Sequence, residues 1–131
     1  EDNANLAARA ASGSARFDAY VICPASGTTI GKIAAGISDN LATRSALVAM
    51  KERRKLIIVP REAPYSTPHL KAMFNLSEWG AVILPASPGF YHSPRSIGDL
   101  VDFVVARILD QLDIDHSLGK RWTGEEVDAE D

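Results

Sequence analysis

In "KERRKLIIVPREAPY", residues 51–65, an arginine and a glutamate, Arg61 and Glu62, follow directly on a short apolar run. An arginine grips phosphate or carboxylate through two parallel hydrogen bonds. A carboxylate beside it takes up a proton or orients a charged partner. The same two residues also make an ordinary surface ion pair, which is worth little. Lys51 and Arg44 precede the apolar run and lie seven residues apart, about two helical turns, so they share one side of a helix. A second place is Ser26-Gly27-Thr28-Thr29, where hydroxyls and backbone N–H groups meet at a predicted helix start. That combination suits a phosphate or another anionic or polar ligand, or serves simply to cap the helix. It has neither the Gly-Lys-Ser/Thr ending of a phosphate-binding P-loop nor the dinucleotide glycine pattern. Tyr91 and His92 form a third place. The phenol donates to a phosphate while its ring packs on an apolar group, or it is a half-buried corner aromatic, and His92 is expected to face solvent. Arg107 interrupts the apolar "LVDFVVARILDQL". It falls on or near the buried face set by Leu100 and Val104, so it needs a partner, a carboxylate of the fold or a bound anion. Arg61, Arg107 and Lys51 or Arg44 could meet one phosphate.

These residues need a scaffold to bring them together. "AYVIC" (19–23) is a predicted strand ended by Pro24. A helix follows from about Thr28 to Ile37, and another over roughly 40–53. "KLIIV" (55–59) is the second strand. Ser66 or Thr67 caps a helix with Pro68 in its first turn, running to about Glu78 and stopped by Gly80. "AVIL" (81–84) is the third strand. Ser96 caps the longest helix, 97–112, where Ile97, Leu100, Val101, Val104, Ile108 and Leu112 recur at helical spacing. Strands alternating with helices specify an α/β fold with a parallel sheet. In such sheets ligands bind beyond the carboxyl ends of the strands. The loops "PASGTT", "PREAPYS" and "PASPGFYHSP" therefore share one rim, and Lys51 is expected to join Arg61 and Glu62 around one anionic ligand. All three strands are apolar throughout, so each expects cover on both faces and neighbours on both edges. Three strands are few for that, and further sheet partners are expected outside this chain.

The chain has 131 residues, 46% hydrophobic and 24% charged, which fits one globular domain. Residues 1–18 read as a loop segment, 19–122 as the α/β domain and 123–131 as an acidic, disordered tail. That tail holds five of the seventeen acids and no base. The basic residues are otherwise scattered, so no nucleic-acid surface is expected. There is no apolar run of membrane-spanning length. The acidic start is unlike a secretory signal, and a lone Cys23 makes no internal disulfide, so a cytoplasmic location is expected. His69, His92 and His116 are far apart in sequence, and no metal site is expected.

The segments "KERRKLIIVPREAPYSTPHLKAMFNLSEWGAVILPASPGFYHSP", "IGDLVDFVVARILDQL" and "KRW" resemble the UbiX-type flavin prenyltransferases in order and spacing, over about residues 11–122. The resemblance implies a flavodoxin-like or Rossmann-like three-layer fold. It implies transfer of a dimethylallyl group from dimethylallyl monophosphate to FMN without a metal, building a fourth ring on the flavin. The prenylated FMN would serve a UbiD-type decarboxylase. It also implies a homo-oligomer, typically a dodecamer, with active sites at subunit interfaces. By the same resemblance Ser26, Gly27, Thr28, Thr29 and Arg61 contact FMN, and Ser12 and Ser14 belong to a loop bordering it. Glu62 is the active-site carboxylate, Lys51, Arg44, Tyr91 and Arg107 hold the prenyl phosphate, and Trp122 lies near the prenyl group. Ala25-Ser26-Gly27 departs from the family's Cys-Ser-Met, and the family's N-terminal strand and Gly-Ala-Ser-Gly flavin loop have no counterpart here. The chain is therefore expected to be the C-terminal part of a longer protein and to hold half of a flavin site. An FMN-binding decarboxylase of the same fold, and an inactive assembly subunit, are the alternatives.

Overall fold

The computed structural model describes residues 2–119, which divide after Ala86 into two compact units. The first unit is built on strands β1 (Ala19–Ala25), β2 (Lys55–Pro60) and β3 (Val82–Ile83). They form one parallel sheet in the order β1-β2-β3. Leu56, Ile57, Ile58 and Val59 are each at most 2% exposed. A strand with four consecutive buried residues needs a strand on each side and cover above and below, and the central β2 has both. Helix α2 (Leu41–Lys51) packs on β1 and β2, α1 (Gly27–Ala34) packs on α2 and α3, and α3 (Thr67–Glu78) also packs on β3. Ile30 and Ile33 of α1, Val48 of α2 and Leu76 of α3 are buried in the core. Each such side chain contributes about 1.5–3 kcal/mol through burial.

Every α-helix of this unit starts where a side chain takes an otherwise unpaired N–H. Ser26 Oγ accepts from Thr29, and Ser66 Oγ from His69. Asn40 and Thr43 make a reciprocal capping box. Asn3 of the N-terminal segment completes that end, its Oδ1 accepting from the Ala42 N–H at 2.9 Å and its carbonyl from Leu41.

Two details depart from the sequence expectation. Pro24 does not end β1; the strand continues to Ala25, with a register shift between Ile22 and Ala25. A proline has no N–H for the ladder, so the shift absorbs it, as edge strands allow. The third strand is two residues long instead of four. In line with the expectation of further sheet partners, β1 has a strand on one side only among the described residues, leaving Val21 37% exposed and Cys23 exposed. A groove of about 480 Å³ runs along it, lined among others by Phe17, Tyr20, Ile22 and Leu41.

The second unit carries α4 (Ile97–Gln111), capped by Ser96 as its spacing implies. Only Ala106 of this helix is buried, while Ile97 is 80% and Val101 53% exposed. Trp122 and the acidic segment 123–131 lie outside the described residues.

Candidate functional site

The carboxyl rim of the sheet assembles from the ends of β1 and β2. Ala25 pairs with Pro60, and the Arg61 N–H donates to the Ala25 carbonyl at 3.1 Å. Ser26 and Arg61 are thus brought side by side. The Ala86 N–H donates to the Pro60 carbonyl at 3.1 Å, which ties the start of the third loop to the same edge.

On this rim Arg61 and Glu62 do not pair with each other. Glu62 turns to α1, where its Oε2 accepts from the Gly27 N–H at 3.1 Å. Arg61 is exposed and makes no ion pair among the described residues. The first turn of α1 is consequently largely satisfied from within. Thr29 N–H bonds Ser26 Oγ at 3.2 Å, Ile30 N–H bonds the Ser26 carbonyl at 3.0 Å, and Ser26 Oγ donates to Thr29 Oγ1 at 3.1 Å. The exposed Thr28 and Ser26, with the Arg61 guanidinium, remain to face a ligand. With a carboxylate already seated there, the start of α1 suits a neutral acceptor better than a phosphate, and Arg61 is the group on this rim left for an anion.

His69, in the first turn of α3, completes the arrangement. A Cβ on Gly27 would lie 2.3 Å from its Cε1, 2.5 Å from its Nε2 and 2.8 Å from Glu62 Oε2. No side chain fits at position 27 without moving one of them. The histidine was missed from sequence, where it is one more polar residue after a helix cap. The glycine next to Ser26 was the available signal, since a close approach needs a residue without a Cβ.

The basic residues predicted to join this rim stand elsewhere in the chain. Lys51 ends α2, just ahead of the start of β2, and Arg61 follows the end of β2. Lys55 and Arg61 are six strand steps apart, about 20 Å at ~3.3 Å per residue. Around Lys51 gathers a second cluster, formed with the N-terminal segment. Glu52 Oε1 lies 3.8 Å from Lys51 Nζ. Arg54 donates to the Gly13 carbonyl at 2.8 Å, to the Ala15 carbonyl and to the Tyr20 hydroxyl. Arg44 Nε donates to the Ala11 carbonyl at 3.2 Å, and the Ser12 and Ser14 hydroxyls bond each other at 2.9 Å. Ser12, Ser14, Arg44 and Lys51 therefore form a group, but one chain does not bring Lys51 to Arg61.

In the second unit Tyr91 is 58% exposed and stands edge-on to Phe103 and His92. His92 does not face solvent: it stacks on Phe103 with centroids 5.2 Å apart, and both ring nitrogens are buried without a partner. Arg107 is not on a buried face either. Its side chain is 54% exposed, and its Nη1 donates to Asp110 at 2.9 Å, one turn along the helix. Such an i,i+3 pair in solvent is inexpensive to form. Asp110 also bonds His116 Nε2 at 2.7 Å. His116 Nδ1 accepts the Leu118 N–H, so the neutral ring carries its proton on Nε2.

The chain matches the Flavoprotein family over residues 1–109. It is 58% identical over 118 residues to the flavin prenyltransferase UbiX of Thermoplasma acidophilum, covering 90% of this chain and 66% of that protein. Two solved structures superpose closely. AnUbiX in complex with FMN and dimethylallyl pyrophosphate gives a TM-score of 0.92 at 42% identity, over 96% of this chain and 67% of the other. A dodecameric FMN-dependent UbiX-like decarboxylase from Escherichia coli O157:H7 gives 0.91 at 44% identity, over 95% and 67%. The chain spans 54–66% of the length of the first curated relatives it matches. Its sheet order, its helix-capped carboxyl rim and these matches over most of its length place the chain in the Flavoprotein family.

Proposed function

We propose that this chain carries the flavin-binding rim and the acid–base carboxylate of a flavin prenyltransferase. The observation that carries the reading is the junction of β1 and β2, where Ser26 and Arg61 are adjacent and Glu62 is held by the Gly27 N–H. Hydroxyls, a backbone N–H and a guanidinium on one edge fit the carbonyls of a flavin's pyrimidine ring. Ser26, Thr28, Thr29 and Arg61 would hold FMN there. When bound, the reduced flavin supplies the nucleophilic positions that receive the dimethylallyl group.

The residues of the chain do the remaining work. The carbon–oxygen bond of dimethylallyl monophosphate breaks and the phosphate leaves with the electron pair. Lys51 and Arg61 meet the charge that develops on it, the role a divalent metal fills in other prenyl transfers. Tyr91 and Arg107 are assigned to the same phosphate on chemistry and resemblance, and Trp122 to the prenyl chain. The proton displaced by the new carbon bond goes to Glu62. Its Oε2 already accepts the Gly27 N–H, so Oε1 is the atom that takes it. Lys51 and Arg61 stand at opposite ends of β2, so a site using both draws Lys51, with Arg44, Ser12 and Ser14, from a neighbouring copy. A dodecamer, like that of the Escherichia coli relative, provides such neighbours. The product would be passed to a UbiD-type decarboxylase in the cytoplasm.

The test is anaerobic incubation with reduced FMN and dimethylallyl monophosphate, followed by mass and absorbance of the flavin. A mass gain of one dimethylallyl group supports the reading, and unchanged flavin overturns it. The decarboxylase description of the Escherichia coli structure favours a second reading, an FMN-dependent decarboxylase of the same fold. It predicts CO₂ release from a carboxylic acid, unmodified flavin and no loss of activity in Arg107→Ala.

A further inference from the structure

We propose that Phe103 is a positioning residue for Tyr91, seating the phenol on the side of α4 that carries Arg107. The inference rests on the reading just given, in which Tyr91 and Arg107 address the phosphate of the allylic substrate. Tyr91 is 58% exposed, and its hydroxyl has no hydrogen-bond partner among the described residues. A loop tyrosine so placed turns freely unless its ring is held. Three contacts within the second unit hold it. The ring stands edge-on to Phe103, with centroids 6.0 Å apart and planes at 83°, and edge-on to His92 at 5.7 Å and 75°. The third contact is the backbone of Gly89, where a Cβ would lie 2.8 Å from Tyr91 Cε1 and 3.1 Å from Phe103 Cζ. Glycine at 89 leaves the space in which the two rings meet, and even alanine would push Tyr91 off Phe103.

Phe103 is itself backed. His92 stacks on it with centroids 5.2 Å apart and planes at 17°. Both His92 ring nitrogens are buried with no hydrogen-bond partner, so the imidazole serves here as a flat packing surface. Aromatic pairs constrain orientation as well as distance, because the ring quadrupoles favour particular angles. An aliphatic side chain of similar bulk would fill the space and leave the phenol free to rotate. Phe103 and Arg107 lie four residues apart in α4, about one turn, so they share a side of the helix. Tyr91, seated against Phe103, thus stands one turn from the residue that supplies the guanidinium. Arg107 gives Nη1 to Asp110, and a guanidinium has further N–H donors for an anion. A hydroxyl and a guanidinium on one side of α4 are a pair of donors matched to the oxygens of a phosphate monoester.

The full chain labelled with 3-fluorotyrosine tests the seating without any activity. The sequence has three tyrosines, and Tyr91→Phe assigns the fluorine line of Tyr91. Phe103→Leu and Gly89→Ala should each move that line towards the position of the free amino acid and leave the other two in place. An unmoved line in either variant overturns the seating. In flavin prenylation, Phe103→Leu should raise the KM for dimethylallyl monophosphate roughly three- to tenfold, the worth of one edge-on aromatic pair, with the Kd for FMN within about twofold. In a Tyr91→Phe background, which keeps the ring and lacks the hydroxyl, Phe103→Leu should add no further loss. An equal loss in both backgrounds means that Phe103 does not act through Tyr91, and overturns the proposal. If the parent chain forms no prenylated FMN, the function fails on its own, and a titration with dimethylallyl monophosphate decides the positioning. The Tyr91 line should shift in the parent at a roughly three- to tenfold lower concentration than in Phe103→Leu. Equal midpoints, or no shift in the parent, overturn it.

Discussion

Lys51 and Arg61 stand at opposite ends of β2, the first at the close of the helix that leads into the strand, the second just past its last residue. The strand between them is buried from Leu56 to Pro60 and does not bend them towards each other. Two cations separated by about 20 Å along a strand cannot hold the same phosphate. Any site that uses both is shared between two copies of the chain.

A sharing test follows from that geometry. Lys51→Ala and Glu62→Gln proteins should each be inactive in flavin prenylation. Mixed, unfolded and reassembled together, they should regain about a quarter of the parent rate, because each shared site draws one residue at random from each of two copies. Rate assays on the mixture check this. No recovery would mean that Lys51 and Glu62 act in one chain or not at all.

Ser26 caps α1 and also faces the rim, whereas Ser66 caps α3 through the same kind of bond. Either serine changed to alanine should cost about 1 kcal/mol, a drop in Tm of about 4 °C. Only Ser26→Ala should also weaken FMN binding, by roughly tenfold for one lost hydrogen bond. Thermal melts paired with flavin fluorescence titrations separate the two effects. Equal FMN affinity in the two variants would remove Ser26 from the site.

Arg54 holds the segment that carries Ser12 and Ser14, through the Gly13 and Ala15 carbonyls. Arg54→Ala should cost about 2–3 kcal/mol, since charged donors contribute more than neutral ones. Amide exchange should accelerate over residues 12–18 and stay unchanged in β2. Its neighbour Arg53 is an internal control, because its φ of 55° is a conformation that favours glycine. Arg53→Gly should be neutral or mildly stabilising. Hydrogen exchange read by mass spectrometry distinguishes the two.

Asp99 sits in the first turn of α4. The Arg95 N–H, at 2.8 Å, and then Ser96 hold its carboxyl below the ordinary value of 3.8. A carboxylate depressed in the fold adds stability above its unfolded pKa, and that contribution is lost as pH falls through the lower folded value. The Arg95 amide resonance should therefore titrate with a midpoint below 3.8, the ordinary value. In Asp99→Asn that titration should disappear. A midpoint at or above the ordinary value would contradict the capping bond.

The order of the strands and α-helices was legible in the sequence, and so was the start of each α-helix to within about a residue. Ser66 and Ser96 cap where their spacing implies, and β2 is as buried as its uninterrupted apolar run requires. These are local properties: a cap needs a residue three positions on, and periodicity needs only a helix turn. The parallel sheet followed from the alternation of strands and helices. Tertiary structure decided what each polar residue meets. It set the Ala25–Pro60 pairing that puts Ser26 beside Arg61, and it turned Glu62 away from its neighbour towards Gly27. It brought in His69, sent Lys51 to the far end of the sheet and paired Arg107 with Asp110 in solvent. Contacts between residues 35 apart in the chain, such as Gly27 and Glu62, depend on strand register and helix packing. Neither is encoded in the spacing of the residues that meet.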